Sequence, residues 1–207
     1  MIARELPTPL GPARVHCAEP AGAVAGTLAL GHGAGGGVDS ADLSAVTAAA
    51  SAAGWRVLLV EQPWRVAGKR IAPAPRRLDE GWAAVLAGVR DQLAGPLVVG
   101  GRSAGARVAC RTASGHGAAG VLALAFPLHP PGAPERSRAA ELTGVDVPLL
   151  VVQGQTDAFG RPAEVEAALA GSAGVIRAVP GDHALKKDPA AVAAAAVEWL
   201  ALAPWIR

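Results

Sequence analysis

The sequence predicts an α/β fold with a mostly parallel central sheet that is covered by helices on both faces. Short β-rich runs alternate along the chain with alanine-rich stretches of helical character, and this alternation is typical of βαβ units. The runs are apolar throughout, as strands are when helices cover both faces of their sheet. With 207 residues, 51% of them hydrophobic, the chain can bury a substantial core. We therefore expect a single domain over residues 1–207.

Three pairs of a strand and a helix are predicted in the first half of the chain. The apolar runs are 27–30, 56–60 and 97–100, and the helical stretches that follow them are 43–53, 78–93 and 104–113. Ser40 or Asp39 is placed to cap the first helix, and Gly54 is placed to close it.

The second half continues the same alternation. The apolar runs are 121–126, 148–153 and 175–179, and the helical stretches 163–170 and 190–202 follow the last two. Pro189 stands just before the last stretch, where a first-turn proline is tolerated.

Two connections are longer than the others, residues 62–77 and residues 127–147. In an open parallel sheet, ligands bind at the carboxyl ends of the strands, where the connecting loops shape the site. We expect these two connections to form the walls of a substrate site. Neither is long enough to form a large lid domain, so the site is expected to be shallow and open.

The segment Gly101-Arg102-Ser103-Ala104-Gly105 follows an apolar run and precedes a helical stretch. This context is typical of a nucleophile elbow, in which a serine occupies a tight, strained turn between strand and helix. The flanking glycines remove side chains that would collide there. Ser103 is therefore the predicted nucleophile.

A serine hydroxyl needs a base, and the base needs an orienting acid. Asp157 follows one late strand and His183 follows the last one, so Ser103, Asp157 and His183 occur in the chain order of nucleophile, acid and base that α/β-hydrolases use. His183 is the predicted base and Asp157 its partner. Asp182 is the competing carboxylate, but an adjacent side chain usually points elsewhere.

Acyl transfer also requires donors for the charge that grows on the carbonyl oxygen. The backbone N–H of Ala104, directly after the nucleophile, is one predicted donor. The second is the N–H of Ala34, because Gly33 and Gly35 let the backbone come close to a bound ester. His32 is expected to shape this loop through hydrogen bonds without a chemical role.

The same early loop supports a rival interpretation. Gly31, Gly33 and Gly36 fit a dinucleotide-binding pattern, and Glu61 ends the next strand, where a ribose-binding acid would lie. Against it, further glycines delay the helix to about residue 40. The rival also leaves the serine, acid and base unexplained.

Two further residues have alternative interpretations. His129 follows a strand and is a candidate substrate-binding residue, or it packs within its own loop. Arg102, beside the nucleophile, either binds an acidic substrate or braces a neighbouring loop, and we favour the brace.

Composition excludes several classes of partner. The 19 Lys and Arg residues balance 17 Asp and Glu residues, and the arginines are scattered, so no nucleic-acid partner is expected. No run reaches membrane-spanning length, and residues 1–11 lack the apolar core of a signal peptide. Cys17 and Cys110 are far apart and are expected to be reduced, which favours a cytoplasmic location. No pair of histidines has zinc spacing.

Taken together, these segments resemble a family of small α/β-hydrolases related to dienelactone hydrolase. The matching segments are Gly31-His32-Gly33-Ala34-Gly35-Gly36, residues 61–68, residues 100–107, residues 126–132, residues 153–160 and Gly181-Asp182-His183. The resemblance implies an α/β-hydrolase fold with Ser103, Asp157 and His183 as the triad, and no metal or organic cofactor. Dienelactone hydrolases carry a cysteine at the nucleophile, so their lactone substrate is not carried over. Eukaryotic relatives resemble scaffolds of chromatin-modifying complexes.

The resulting prediction is a serine hydrolase that cleaves a small ester or thioester through an acyl-enzyme on Ser103. The alternative is a non-catalytic interaction module that keeps the hydrolase framework. The oligomeric state, the acyl group and the leaving group are left open by the sequence.

Overall fold

The fold is known from a computed structural model, which describes residues 1–202. Eight strands form one sheet, with the spatial order β1-β2-β4-β3-β5-β6-β7-β8. The strands are β1 (Ile2–Leu6), β2 (Ala13–Ala18), β3 (Gly26–Gly31), β4 (Trp55–Glu61), β5 (Leu97–Arg102), β6 (Gly120–Leu124), β7 (Leu149–Gly154) and β8 (Val175–Val179). β2 is antiparallel to β1 and to β4, and all the other pairs are parallel. The carboxyl ends of β3 to β8 therefore meet at one edge of the sheet.

Helices cover both faces of the sheet. They are α1 (Ala41–Ala52), α2 (Pro63–Val66), α3 (Pro75–Gly88), α4 (Ala104–Thr112), α5 (Ala139–Thr143), α6 (Pro162–Ala168) and α7 (Pro189–Leu202). The buried side chains of α1 and α7 pack on one face, and those of α3, α4, α5 and α6 pack on the other. This arrangement confirms the predicted mostly parallel sheet between two helical layers.

The helix α4 approaches the sheet unusually closely because glycines meet at the contact. A Cβ atom on Gly105 would lie 2.4 Å from the carbonyl oxygen of Gly31, and one on Gly101 would lie equally close to the same atom. Gly31 and Gly101 are paired neighbours in β3 and β5. The contact therefore fixes the start of α4 against the middle of the sheet.

The prediction was incomplete at the N-terminal side and in the long connections. It did not include β1 and β2, which are partly exposed and contain charged residues. It treated residues 62–77 and 127–147 as connections, and these contain α2, the start of α3 and the short helix α5. Ser40 does occupy the N-cap of α1, but its side chain makes no capping hydrogen bond.

Within residues 1–202, no segment forms a large lid over the carboxyl edge of the sheet, and no helix is long and apolar enough to cross a membrane. The expectation of a single domain over residues 1–207 stays a prediction, and its last residues, 203–207, lie outside the described part of the chain.

Candidate active site

Ser103 occupies the sharp turn between β5 and α4. Its backbone angles are φ 53° and ψ −109°, a conformation that is costly for a residue with a side chain. The turn is held in place because the Ser103 N–H donates to the carbonyl of Leu124 at the end of β6, at 2.9 Å. The predicted strand-to-helix turn is therefore present at the carboxyl edge of the sheet.

His183 and Asp157 meet Ser103 at this edge. The His183 Nε2 atom lies 2.9 Å from Ser103 Oγ, and His183 Nδ1 lies 2.8 Å from Asp157 Oδ2. A carboxylate accepts only, so Nδ1 carries the proton and Nε2 is free to accept the Ser103 hydroxyl proton. Three side chains that are distant in the sequence are thus brought together in the order hydroxyl, imidazole, carboxylate.

Asp157 is buried, and its carboxylate is held from three sides. Besides His183, Oδ2 accepts a hydrogen bond from Gln153 Nε2 at 2.9 Å, and Oδ1 accepts one from the Phe159 N–H at 2.8 Å. Asp182, the competing carboxylate, is exposed and accepts from the Ala184 N–H at 3.0 Å. Asp157 is therefore the acid that orients the imidazole.

The loops that carry the acid and the base are bound to each other through their backbones. The N–H groups of Gln155 and Thr156 donate to the carbonyls of Val179 and Gly181, each at 2.9 Å. A Cβ atom on Gly154 would lie 2.5 Å from the carbonyl oxygen of Asp182, so only glycine permits this approach. The spacing between Asp157 and His183 is therefore set largely by main-chain contacts.

Two residues of the site had no role in the sequence analysis. Gln153 is buried at the end of β7, where its amide bonds Asp157 and, at 2.8 Å, the carbonyl of Gly160. The Phe159 ring lies against the His183 ring, with 4.2 Å between the ring centroids. A polar residue that ends an apolar strand needs a buried partner, which was the available signal for Gln153. Phe159 carried no comparable signal.

His32 shapes the glycine loop, residues 32–37, as predicted. Its Nδ1–H donates to the Gly33 carbonyl at 2.9 Å, and its Nε2 accepts from the Gln62 N–H at 3.2 Å. This pair of bonds requires the neutral ring, and burial lowers the pKa of His32 accordingly. The ring thereby connects the ends of β3 and β4.

The glycine loop lies beside the nucleophile. A Cβ atom on Gly33 would lie 3.5 Å from Ser103 Cβ. Ala34 follows directly, and Gly35 is exposed with open space around its Cα. Ala104 is the first residue of α4, where an N–H has no partner within the helix. The roles of Ala34 and Ala104 as oxyanion donors, and of Gly33 and Gly35 as substrate contacts, stay predictions.

His129 is buried in the loop after β6. Its Nδ1 bonds the carbonyl of Pro130 at 2.9 Å, and its Nε2 bonds Glu164 of α6 at 3.2 Å. Both partners accept, so these bonds favour the protonated ring, and the Pro130 carbonyl, followed by Glu164, raises the pKa of His129. These contacts match the loop-packing interpretation, and a substrate contact from His129 stays a prediction.

The requirements of the dinucleotide interpretation are not met. The third glycine should lie in the first turn of a helix, but α1 begins only at Ala41. Glu61, the proposed ribose partner, instead accepts a hydrogen bond from Arg14 Nη1 on β2 at 3.1 Å.

Neither cysteine has the properties of a nucleophile. Burial raises the pKa of Cys17 to about 11 and that of Cys110 to about 12. Both thiols are therefore protonated at neutral pH, whereas the thiolate is the reactive form. Within residues 1–202, no three His, Cys, Asp or Glu side chains are grouped so that they could hold a metal ion.

The neutral, buried His32 makes a testable contribution to stability. Its pKa is lowered from 6.5, so below that pH the unfolded chain binds the proton more readily than the folded protein. Its stabilising contribution is therefore present above that pH and is lost as the pH falls. We expect the difference in unfolding free energy between wild type and His32→Gln to shrink between about pH 7.5 and about pH 5.5, measured by urea unfolding.

His129 provides a control of opposite sign. The pKa of His129 is raised, so its contribution to the unfolding free energy is complete below its ordinary pKa. That contribution is lost as the pH rises through the raised pKa. The advantage of wild type over His129→Gln should therefore grow on acidification. A difference for His32→Gln that does not change with pH would contradict a neutral, buried ring.

Comparisons with known proteins show the same fold. Many solved structures are similar to the chain, among them the following three. A serine hydrolase homologue from Coxiella burnetii has a TM-score of 0.80 at 18% identity and covers 95% of this chain and 96% of its own. A serine hydrolase without a lid from Xanthomonas campestris has a TM-score of 0.78 at 22% identity, covering 95% and 92%. Est1E from Butyrivibrio proteoclasticus has a TM-score of 0.78 at 13% identity, covering 96% and 97%.

No curated protein matches the chain. A family described as alpha/beta hydrolase domain matches residues 24–200, which include the elbow, the acid and the base. The eight-stranded, mostly parallel sheet with helices on both faces is the α/β-hydrolase fold. The chain therefore belongs to the α/β-hydrolase domain family.

Proposed function

We propose that this protein is a serine hydrolase that cleaves a small ester or thioester through an acyl-enzyme on Ser103. The observation that carries the proposal is the continuous chain of hydrogen bonds from Ser103 Oγ through His183 to the buried Asp157 carboxylate. Burying a carboxylate costs free energy. A serine and a histidine without a catalytic role would not need that buried charge beside them.

The proposed acylation uses the three side chains in turn. His183 Nε2 removes the hydroxyl proton as Ser103 Oγ attacks the carbonyl carbon, and Asp157 stabilises the imidazolium that forms. The negative charge on the carbonyl oxygen is stabilised by the N–H groups of Ala104 and Ala34 and by the positive end of α4. His183 then gives its proton to the departing alcohol or thiol.

Deacylation repeats these steps with water as the nucleophile. His183 takes a proton from water, which attacks the acyl carbonyl, and returns it to Ser103 Oγ as the acid product leaves. The site needs no metal or organic cofactor for this chemistry.

A small substrate is favoured by the open carboxyl edge of the sheet. The connections 62–77 and 127–147 are its proposed walls, with His129 at one side. Among similar structures, Est1E has been solved with ferulic acid bound, and another is described as an enol-lactonase from Burkholderia xenovorans.

The proposal also includes a relation to dienelactone hydrolases, with Ser103 in place of their cysteine. It includes a cytoplasmic location without a nucleic-acid or membrane partner.

A fluorophosphonate probe tests the nucleophile directly. The probe should form one covalent adduct, located on Ser103 by peptide mass spectrometry, because only an activated hydroxyl attacks the phosphorus. Ser103→Ala should remove the adduct. Ser114→Ala is the matched control, since this serine is exposed just after α4, and it should leave labelling unchanged. Folded wild-type protein that stays unlabelled would favour the interaction module instead.

A further inference from the structure

Arg102 directly precedes the nucleophile, and its side chain reaches the loop that carries the base. Its Nη2 donates to the main-chain carbonyl of His183 at 2.9 Å. The side chain is largely buried, with 13% of its surface exposed. One side chain therefore connects the end of β5, from which Ser103 projects, to the backbone of the residue that must accept the serine proton.

The other side of the guanidinium faces a buried carboxylate. Asp42 lies in the first turn of α1, its side chain is fully buried, and its Oδ2 is 3.5 Å from Arg102 Nε. Neither Asp42 oxygen has a hydrogen-bond partner among residues 1–202, so the Arg102 cation is what compensates its charge. A buried carboxylate without a cation is strongly unfavourable. Asp42 therefore restricts where the guanidinium can lie.

The guanidinium also packs against the glycine loop. A Cβ atom on Gly33 would lie 2.8 Å from Arg102 Nη1. The Arg102 head is thus enclosed by α1, by the glycine loop and by the backbone of His183. With 13% of the side chain exposed, most of its surface is taken up by these contacts, which favours a bracing role over an acidic substrate as its partner.

We propose that Arg102 is a positioning residue, anchored by Asp42, that holds the His183 backbone so that its imidazole stays within bonding distance of Ser103 Oγ. The proposal rests on the proposed function, because it concerns the same reaction. Ser103 is the next residue after Arg102, so the hydrogen bond from the Arg102 side chain to the His183 carbonyl sets the distance between nucleophile and base. The acid, in contrast, is connected to the base loop by main-chain bonds.

The kinetic test compares Arg102→Met with Arg107→Met on a short p-nitrophenyl ester. Arg107 lies one turn into α4, is similarly buried and pairs with Glu141 at 2.6 Å, away from the base loop. Misplacement of a catalytic group by about 1 Å costs about 100-fold, so Arg102→Met should lower kcat by about 100-fold with little change in KM. Arg107→Met should keep the wild-type kcat.

Two more variants separate positioning from folding. Arg102→Lys keeps the charge but has no planar fork to reach both partners, so it should recover only part of kcat. If Arg102→Met unfolds because Asp42 is left uncompensated, the double variant Asp42→Asn with Arg102→Met removes both charges and should fold with the same loss of kcat. An unchanged kcat in folded Arg102→Met or in the folded double variant would overturn the proposal. An unchanged kcat with a raised KM would overturn it as well, because it would indicate that Arg102 contacts the substrate.

A second readout does not depend on turnover. The His183 Nδ1 proton, shared with Asp157, should give a downfield NMR resonance in wild type and in Arg107→Met. In Arg102→Met, or in the double variant, this resonance should be broadened or lost, because the imidazole is no longer held. An unperturbed resonance would overturn the positioning role even if wild type shows no hydrolysis. Failure of the fluorophosphonate test alone would refute only the proposed function.

Discussion

Replacement of Asp157 by asparagine is expected to lower kcat by about 10⁴-fold while the protein stays folded. The amide is close in shape to the carboxylate, and with its oxygen in the Oδ1 position it still accepts from the Phe159 N–H. Its NH₂ group, however, would face His183 Nδ1 and favour the tautomer that carries the proton on Nε2. That tautomer cannot accept the Ser103 proton. The measurement is kcat for a short p-nitrophenyl ester, together with the melting temperature.

Asp182→Asn is the matched control for this variant. Asp182 directly precedes His183 in the chain, but it is exposed and its carboxylate bonds only the nearby Ala184 N–H among residues 1–202. Its replacement should leave kcat within about twofold, since a neutral side chain can keep the same turn. The reverse result, with Asp182→Asn inactive and Asp157→Asn active, would show that the wrong carboxylate has been assigned.

Gly105→Ala is expected to cost about 3 kcal/mol of unfolding free energy, which corresponds to about 9 °C in melting temperature. The added methyl would lie 2.4 Å and 2.5 Å from the carbonyl oxygen and carbon of Gly31. Both contacts are with main chain in the middle of the sheet, so neither can move aside cheaply. Alanine is the better helix former by only about 0.5–1 kcal/mol, so the collision decides the sign.

Gly115→Ala provides the comparison for the same change in a different environment. Gly115 is exposed after α4, and an added Cβ atom would meet nothing within 4 Å. Its effect should stay within about 0.5 kcal/mol, measured by the same thermal and urea unfolding. Equal stabilities of the two variants would mean that α4 does not approach β3 as closely as described.

The parallel strands and the meeting of Ser103, His183 and Asp157 could be predicted because their signals are local. Each parallel strand is a short apolar run, and Ser103, Asp157 and His183 each lie within four residues of the end of such a run. The carboxyl ends of parallel strands meet at one edge, so the order of the runs was enough to bring the three residues together. The antiparallel pair β1 and β2 has no such signal, because its exposed face carries polar residues such as Arg4 and Arg14.

The supporting contacts could not be predicted, because they depend on three-dimensional packing. The sequence favoured Arg102 as a brace for a neighbouring loop, but nothing local indicates that it reaches the His183 carbonyl or that Asp42 lies fully buried behind it. Likewise, the ring contact of Phe159 follows from the way the acid loop folds back on the base. Sequence order specifies which residues meet, and side-chain packing specifies how firmly they are held.

His183 follows one of the two outer strands of the sheet. β8 is an outer strand that pairs only with β7, and most of its side chains are partly or fully exposed. Fraying of this one strand would withdraw His183 and remove one neighbour of β7, while Ser103 remained at the end of β5, which is flanked by β3 and β6. Under heat or denaturant, activity is then lost through local unfolding of this outer strand, well before the central strands of the sheet unfold.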